Sequence, residues 1–226
     1  MKKLNKILII LLCMLITSTN RISNETKVIT TKSNEELLST VNKKTLKNIV
    51  IFIEFNDSDT LVTNHLDDEQ SVKNAEVIFN NEELFEMGTK YGTINVPSFK
   101  KYYERESYGD LSITSEIFPK ENGKVVSYKD SHPIGYYLKH NDKNAIGYKT
   151  KEESLKRETE LINNATNYIA SMVEAYGITS EELDTNKDNK IDAITYIVEV
   201  PTSLPSSIAW NDLLWSHKLD NDGVTA

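Results

Sequence analysis

Asn48-Ile-Val-Ile-Phe-Ile-Glu-Phe55 is the stretch on which the fold turns. Its apolar residues follow one another without the alternation of a strand that has one wet face. Such a run suits a central strand covered on both sides, and covering both sides requires helices. Asn56-Asp-Ser-Asp59 supplies the turn chemistry that ends it.

Working outward, the chain alternates strand and helix signals. Ser71 to Met87 carries Val72, Ala75, Val77, Ile78, Phe79, Leu84 and Phe85, a spacing that suits helical pieces, with Gly88 and Gly92 punctuating the connection that follows. Pro97 is expected in the first turn of a helix bearing Phe99, Tyr102 and Tyr103, and Gly109 is placed to end it. Leu111-Ser-Ile-Thr-Ser-Glu-Ile-Phe118 alternates with period two, which predicts a strand directing Leu111, Ile113 and Ile117 inward. Residues 119–148 are rich in turns and tyrosine. Thr150 followed by Glu153 is a capping-box pattern. It opens a long amphipathic helix whose stripe runs Leu155, Ile162, Ala165, Ile169, Met172, Val173, Tyr176, with Gly177 as its stop. The expected class is α/β (α+β), a mixed sheet with packed helices.

Asp184-Thr-Asn-Lys-Asp-Asn-Lys-Ile-Asp192 then leads directly into the β-branched run that starts at Ala193. Asp184, Asn186, Asp188 and Asp192 offer oxygen-bearing side chains at the spacing by which a tight loop wraps a hard cation, and Lys190 offers its backbone carbonyl. Calcium is the expected ion, and a plain solvated Asx turn is the alternative. A complete EF-hand loop would carry Gly at its sixth position and Glu at its twelfth, where this chain has Asn189 and Thr195.

The 226 residues have 38% hydrophobic content, ordinary for a globular domain, and a formal net charge of −8. Removing residues 1–20, whose only charges are Lys2, Lys3 and Lys6, takes that charge to −11. An acidic surface argues against nucleic acid or an anionic membrane as partner. Met1-Lys-Lys-Leu-Asn-Lys6 before the apolar Ile7–Ile16 reads as a secretory signal peptide, so the expected organisation is signal peptide 1–20, polar propeptide-like linker 21–47 and a domain over 48–226. The apolar core is too short for a stable membrane anchor, and the expected location is extracellular. Cys13, the single cysteine, lies in that leader, and no Gly-x-Ser-x-Gly elbow occurs, so serine and cysteine hydrolase chemistry have no support. His65, His132 and His140 read as loop histidines, since none lies at helical spacing from another or beside a carboxylate motif.

Several local patterns share one resemblance. Val96-Pro-Ser-Phe-Lys-Lys-Tyr-Tyr-Glu-Arg-Glu-Ser-Tyr-Gly-Asp-Leu-Ser-Ile113 resembles the Tyr-Tyr to Ser-Tyr-Gly block of secreted zinc metallopeptidases of the immune inhibitor A type. The strand ending in Glu54-Phe-Asn-Asp57 resembles that family's opening strand, Asp184–Asp192 its acidic loop, and Ala209-Trp-Asn-Asp-Leu-Leu-Trp-Ser-His217 a later Trp-His segment. The resemblance, over about residues 48–218, implies a zincin-like amino-terminal subdomain, protein or peptide substrates, and a catalytic zinc held by a His-Glu-x-x-His helix. No His-Glu-x-x-His occurs in the 226 residues, so no catalytic residue and no zinc ligand is assigned. The expectation is an exported metallopeptidase present as its amino-terminal part or as an inactive relative. The alternative is a non-catalytic, calcium-dependent binding module of the dockerin-like kind, which normally carries its loop twice. Here the second copy is only the fragment Asp220-Asn-Asp-Gly223.

Overall fold

The computed structural model describes residues 43–57, 69–89 and 91–198. The leader, the linker up to Asn42, His65 and the Trp-His segment with His217 lie outside them. Strand β1 (Lys44–Glu54) is the axis of the domain. It pairs in parallel with β4 (Leu111–Phe118) over residues 44–51 and with β8 (Ile194–Val198) over residues 49–53. Two strands that overlap along a third must lie on its opposite edges. The two-residue β7 (Tyr128–Lys129) pairs with Ile53 and Glu54, so it shares the β4 edge, just beyond the point where β4 ends.

Ile49, Val50, Ile51, Phe52, Ile53 and Phe55 are all buried, as the uninterrupted apolar run requires. Odd-numbered Ile49, Ile51 and Ile53 pack with Leu161, Ala165, Ile169 and Val173 of helix α3 (Lys151–Ala175). Even-numbered Val50 and Phe52 face the other way and pack with Ala75, Ile78 and Phe79 of helix α1 (Glu69–Asn80), together with Ile117 and Ile197. Each of these aliphatic side chains contributes about 1.5–3 kcal/mol on full burial. The expected α/β architecture is the one found, and both parallel and antiparallel strand pairs are present, the latter including the two-residue strands β5 (Lys120–Glu121) and β6 (Lys124–Val125).

A polar rung crosses the amino-terminal half of the sheet on the α1 side. Asn48 Nδ2 donates to Ser115 Oγ at 3.0 Å, and Thr195 Oγ1 donates to Asn48 Oδ1 at 3.0 Å. Asn80, the last residue of α1, accepts from Ser115 N with Oδ1 at 2.8 Å and donates to Ser115 O from Nδ2 at 2.9 Å. Its carboxamide thus takes the place of a neighbouring strand on the outer edge of β4, one way of protecting an exposed sheet edge.

Four readings of the sequence are corrected. The helical pattern stops at Asn80, and Phe85–Thr89 (β2) with Gly92–Val96 (β3) forms an antiparallel hairpin instead, with Met87 directed inward and Leu84 exposed. Pro97 lies just before helix α2 (Phe99–Glu106), because Ser98 is its N-cap, accepting from Lys101 N and donating to Asn81 O. In α3 the buried stripe is Leu161, Ile162, Ala165, Ile169 and Val173, while Leu155 and Tyr176 are about half exposed, Tyr176 meeting the Phe118 ring edge to face with centroids 5.5 Å apart. In β4, Ser112, Ser115 and Phe118 are buried beside Ile113 and Ile117 while Leu111 is only half-buried, so two-sided cover overrides the alternation.

The expected boundaries hold elsewhere. Thr150 Oγ1 accepts from Glu153 N at 3.2 Å, whereas the Glu153 carboxylate bonds Lys149 N at 2.8 Å rather than completing the box at Thr150. Gly177 takes φ +76 after the helix, where Ile178 N closes onto Val173 O at 3.3 Å. Among the described residues no helix is long and apolar enough to cross a membrane.

Candidate metal site and the carboxyl end of the sheet

The acidic loop hangs between two fixed points. Helix α4 (Ser180–Leu183) starts at a reciprocal capping box between Thr179 and Glu182, and Leu183 is buried in the core. Leu183 O accepts from Asp192 N at 2.7 Å, closing the neck of the loop, and Ala193 O accepts from Ile49 N at 3.1 Å, which feeds the chain into β8. The Glu182 carboxyl is held below the usual carboxylate range by the backbone N–H of Thr179 and by Lys47, whose Nζ is 2.9 Å away.

Inside the neck the predicted residues are drawn together. Asp184 accepts from Asp188 N at 3.0 Å with Oδ1 and from Asn189 N at 2.7 Å with Oδ2. Asn186 Oδ1 shares the Asp188 N–H at 2.9 Å, and Asp188 Oδ1 accepts from Lys190 N at 2.9 Å. Asp192 takes Thr185 N at 2.9 Å, the Thr185 hydroxyl, and Asn186 Nδ2 at 3.1 Å. Asn189 has φ +64 at the position where a complete EF-hand loop has Gly. Asparagine is one of the few other residues that tolerates this region, so the missing glycine does not prevent the turn. Lys187 at φ +62 has no such tolerance and costs about 1–2 kcal/mol.

The donor chemistry fits calcium. All the side-chain candidates are hard oxygen donors, and each carboxylate oxygen that accepts one N–H keeps a further lone pair. Among the described residues no three His, Cys, Asp or Glu side chains form a group that could hold a metal ion. The three aspartates by themselves are therefore not gathered into a cation site, and a calcium shell would also need the Asn186 amide oxygen and main-chain carbonyls such as that of Lys190. The residues do not fit a catalytic zinc: none of the four histidines stands in a His-Glu-x-x-His, and only His132 and His140 fall within the described residues.

At the opposite end of the sheet lies a cluster that the sequence reading missed. Asp130 follows β7 directly and is 1% exposed. Its Oδ1 accepts from Tyr137 OH at 2.9 Å, from His132 N at 2.8 Å and from His132 Nδ1 at 3.0 Å, and Oδ2 lies 3.4 Å from Tyr128 OH. Burial, then the hydrogen bond to the Asp130 carboxylate, pushes the Tyr137 phenol well above its usual range; burial and Asp130 also raise Tyr128. The His132 ring stacks on Tyr136 with centroids 4.1 Å apart, and the Arg157 guanidinium lies 3.8 Å from the same Tyr136 centroid. Two groups that close to one ring must occupy its two faces.

His132 therefore does have a carboxylate partner, two residues away. The signal was the Asp-x-His spacing on a bend, which carries meaning only once Asp130 is known to be buried. His140 is exposed, as expected of a loop histidine. The chain matches no protein-family model and no curated protein.

Proposed function

We propose that this chain is the sheet-bearing, calcium-stabilised amino-terminal part of an exported zinc metallopeptidase acting on proteins or peptides. One observation carries the reading. The three stretches within the described residues that resemble the immune inhibitor A type are distant in sequence, yet they meet at one strand. The opening strand is β1, the Tyr-Tyr to Ser-Tyr-Gly block is α2 running into β4, and the acidic loop opens β8. Strand β1 hydrogen-bonds both β4 and β8. Independent chance likenesses have no reason to converge on the two edges of one strand.

In this reading the chain's own residues build and stabilise the scaffold. Asp184, Asn186, Asp188, Asp192 and the Lys190 carbonyl hold calcium, which fixes the start of β8 against β1. Zinc, when bound through a His-Glu-x-x-His supplied beyond these 226 residues, would activate water for peptide hydrolysis. No step through it is derived from the residues present.

The test is to express the chain alone and the same chain with the coding sequence that follows residue 226 in its gene, and to assay zinc-dependent cleavage of casein. The short form is expected to be inactive and the extended form active. A downstream frame with no His-Glu-x-x-His and no activity would overturn the peptidase reading. Intact-mass analysis of secreted protein tests the leader separately, with loss of the first 17 to about 24 residues expected from where the apolar core ends.

A further inference from the structure

We propose that His132 is a reactive imidazole, oriented by Asp130, that catalyses hydrolysis of small activated acyl esters through Nε2 without a metal. Carboxylates only accept, so the 3.0 Å contact between Asp130 Oδ1 and His132 Nδ1 is a hydrogen bond only with the proton on Nδ1, and it is shorter than the 3.4 Å contact of Ser131 Oγ with the same nitrogen. Neutral His132 therefore carries its free lone pair on Nε2, and that nitrogen has no hydrogen-bond partner among the described residues. The side chain is 43% exposed while its carboxylate partner is 1% exposed. A buried acceptor holding an accessible imidazole by Nδ1 fixes both tautomer and ring direction, which is what nucleophilic and general-base histidines need.

Three further features make the ring rigid. Tyr136 stacks under it, with Arg157 on the far side, and Arg157 is itself held by Tyr136 O and by Ile146 O at 2.8 Å. Tyr137 and the His132 main-chain N–H fix the Asp130 carboxylate. The segment is also stapled to the loop after β1, through Asn56 N to His132 O at 3.3 Å, Asn56 Nδ2 to Ser131 O, and Ile134 N to Asp57 Oδ1 at 2.8 Å. Since Ile53 pairs with both Tyr128 and Val198, His132 lies just beyond the carboxyl ends of three parallel strands, the end at which open α/β sheets bind ligands.

The step balances with water as the only co-reactant. Nε2 attacks the acyl carbon, and the carbon–oxygen bond to the leaving group breaks, with the electron pair departing on that oxygen. Water then adds to the acyl-imidazolium, releasing the carboxylic acid and the neutral ring together with one proton, which neutralises the departed oxyanion, so ester and water become acid and alcohol. The Nδ1 proton stays hydrogen-bonded to Asp130 throughout, and the negative carboxylate offsets the positive charge that develops on the ring. His132 is the catalytic residue and Asp130 a positioning residue.

The experiment measures p-nitrophenyl acetate hydrolysis by the full chain, with calcium present and phenanthroline added so that zinc-dependent activity contributes nothing. Wild type is expected to exceed His132→Ala by about tenfold or more, and His140→Ala to equal wild type. Asp130→Asn is expected to lose most of the His132-dependent rate and to approach the His132→Ala level, because the carboxylate acts only through the ring it orients. Because Asp130 is buried and Asp130→Asn could unfold the protein, long-range 15N–1H spectra of the wild type provide a second readout, with His132 expected to be protonated on Nδ1. An Nε2-protonated ring, or His132→Ala hydrolysing as fast as wild type, overturns the proposal. Folded Asp130→Asn with unchanged rate and tautomer removes the role of Asp130 and overturns it equally.

Discussion

Replacing Asp184 with Ala separates the two readings of the acidic loop. Without calcium, the substitution removes the acceptor of the Asn189 N–H and one of the two acceptors of the Asp188 N–H, which Asn186 Oδ1 still takes. Hydrogen bonds to a charged group are worth about 1.5–3 kcal/mol each when shielded. Asp184 is only half-buried and its neighbours are exposed, and the substitution also relieves repulsion among the three aspartates, so a net loss of about 1–2 kcal/mol is the better figure. For a domain of this size that corresponds to about 2–8 °C in Tm.

Calcium adds a second term. An ion that binds only the folded protein at a hundred times its Kd stabilises by about 2.7 kcal/mol, or about 5–11 °C. Wild type is expected to show that lift in a melting experiment with and without calcium, and Asp184→Ala to show none. Asp184→Asn keeps one acceptor oxygen and loses the charge, so it is expected to melt near wild type without calcium and to lose most of the lift. Magnesium, which demands a tight octahedral shell, is expected to lift Tm less than calcium. Equal calcium lifts in wild type and Asp184→Ala would refute the cation assignment and leave the loop as a hydrogen-bonded turn.

Three other perturbations test the scaffold. Asn80→Ala strips the outer edge of β4 of both bonds to Ser115 and is expected to cost about 1–3 kcal/mol in urea unfolding. An unchanged midpoint would mean that water replaces the amide. Thr150→Ala removes the N-cap of α3 and is expected to cost about 1 kcal/mol by thermal melting, with Thr150→Ser restoring most of it. The Tyr137 phenol is raised in the folded state, so its contribution is fully present below the unfolded value of about 10 and is lost as pH rises past it. Tyr137→Phe should therefore flatten the alkaline decline in stability, and melting curves between about pH 8 and 11 check this.

The central strand, β4, the long helix and the acidic loop were legible because each is decided locally, by a run of side chains that suits one geometry and a capping or turn residue at its end. The hairpin β2–β3 was not. Phe85-Glu-Met-Gly-Thr89 has too few apolar residues to distinguish strand from helix, and what decides is pairing with Gly92–Val96, a non-local event. The same holds for β7: two residues carry no periodicity, and they are a strand only because β4 ends at Phe118 and leaves Ile53 and Glu54 with an open edge.

The Asp130–His132 pair was hidden for a related reason. The calcium-type loop announces itself because its donors are consecutive in sequence and the loop folds on its own neck. The meaning of Asp130 depends instead on burial that three separate elements impose, namely the end of β1, the turn at Ile134–Tyr137 and helix α3. A lone aspartate in a tyrosine-rich turn is ordinarily a solvated cap. Here Tyr137 belongs to the same core cluster as Ile53 and Ala165, and its hydroxyl draws the carboxylate inward behind it. The packing that buries Tyr137 is thus what converts a surface acid into an internal acceptor, and the imidazole two residues later acquires its fixed tautomer as a consequence. It follows that Tyr137→Phe should loosen His132 as well as flatten the alkaline decline in stability, because a carboxylate that loses one of its short donors is freer to turn toward solvent. Line broadening of the His132 ring signals in that variant would show the coupling, and unchanged spectra would mean that the main-chain N–H of His132 suffices to hold Asp130.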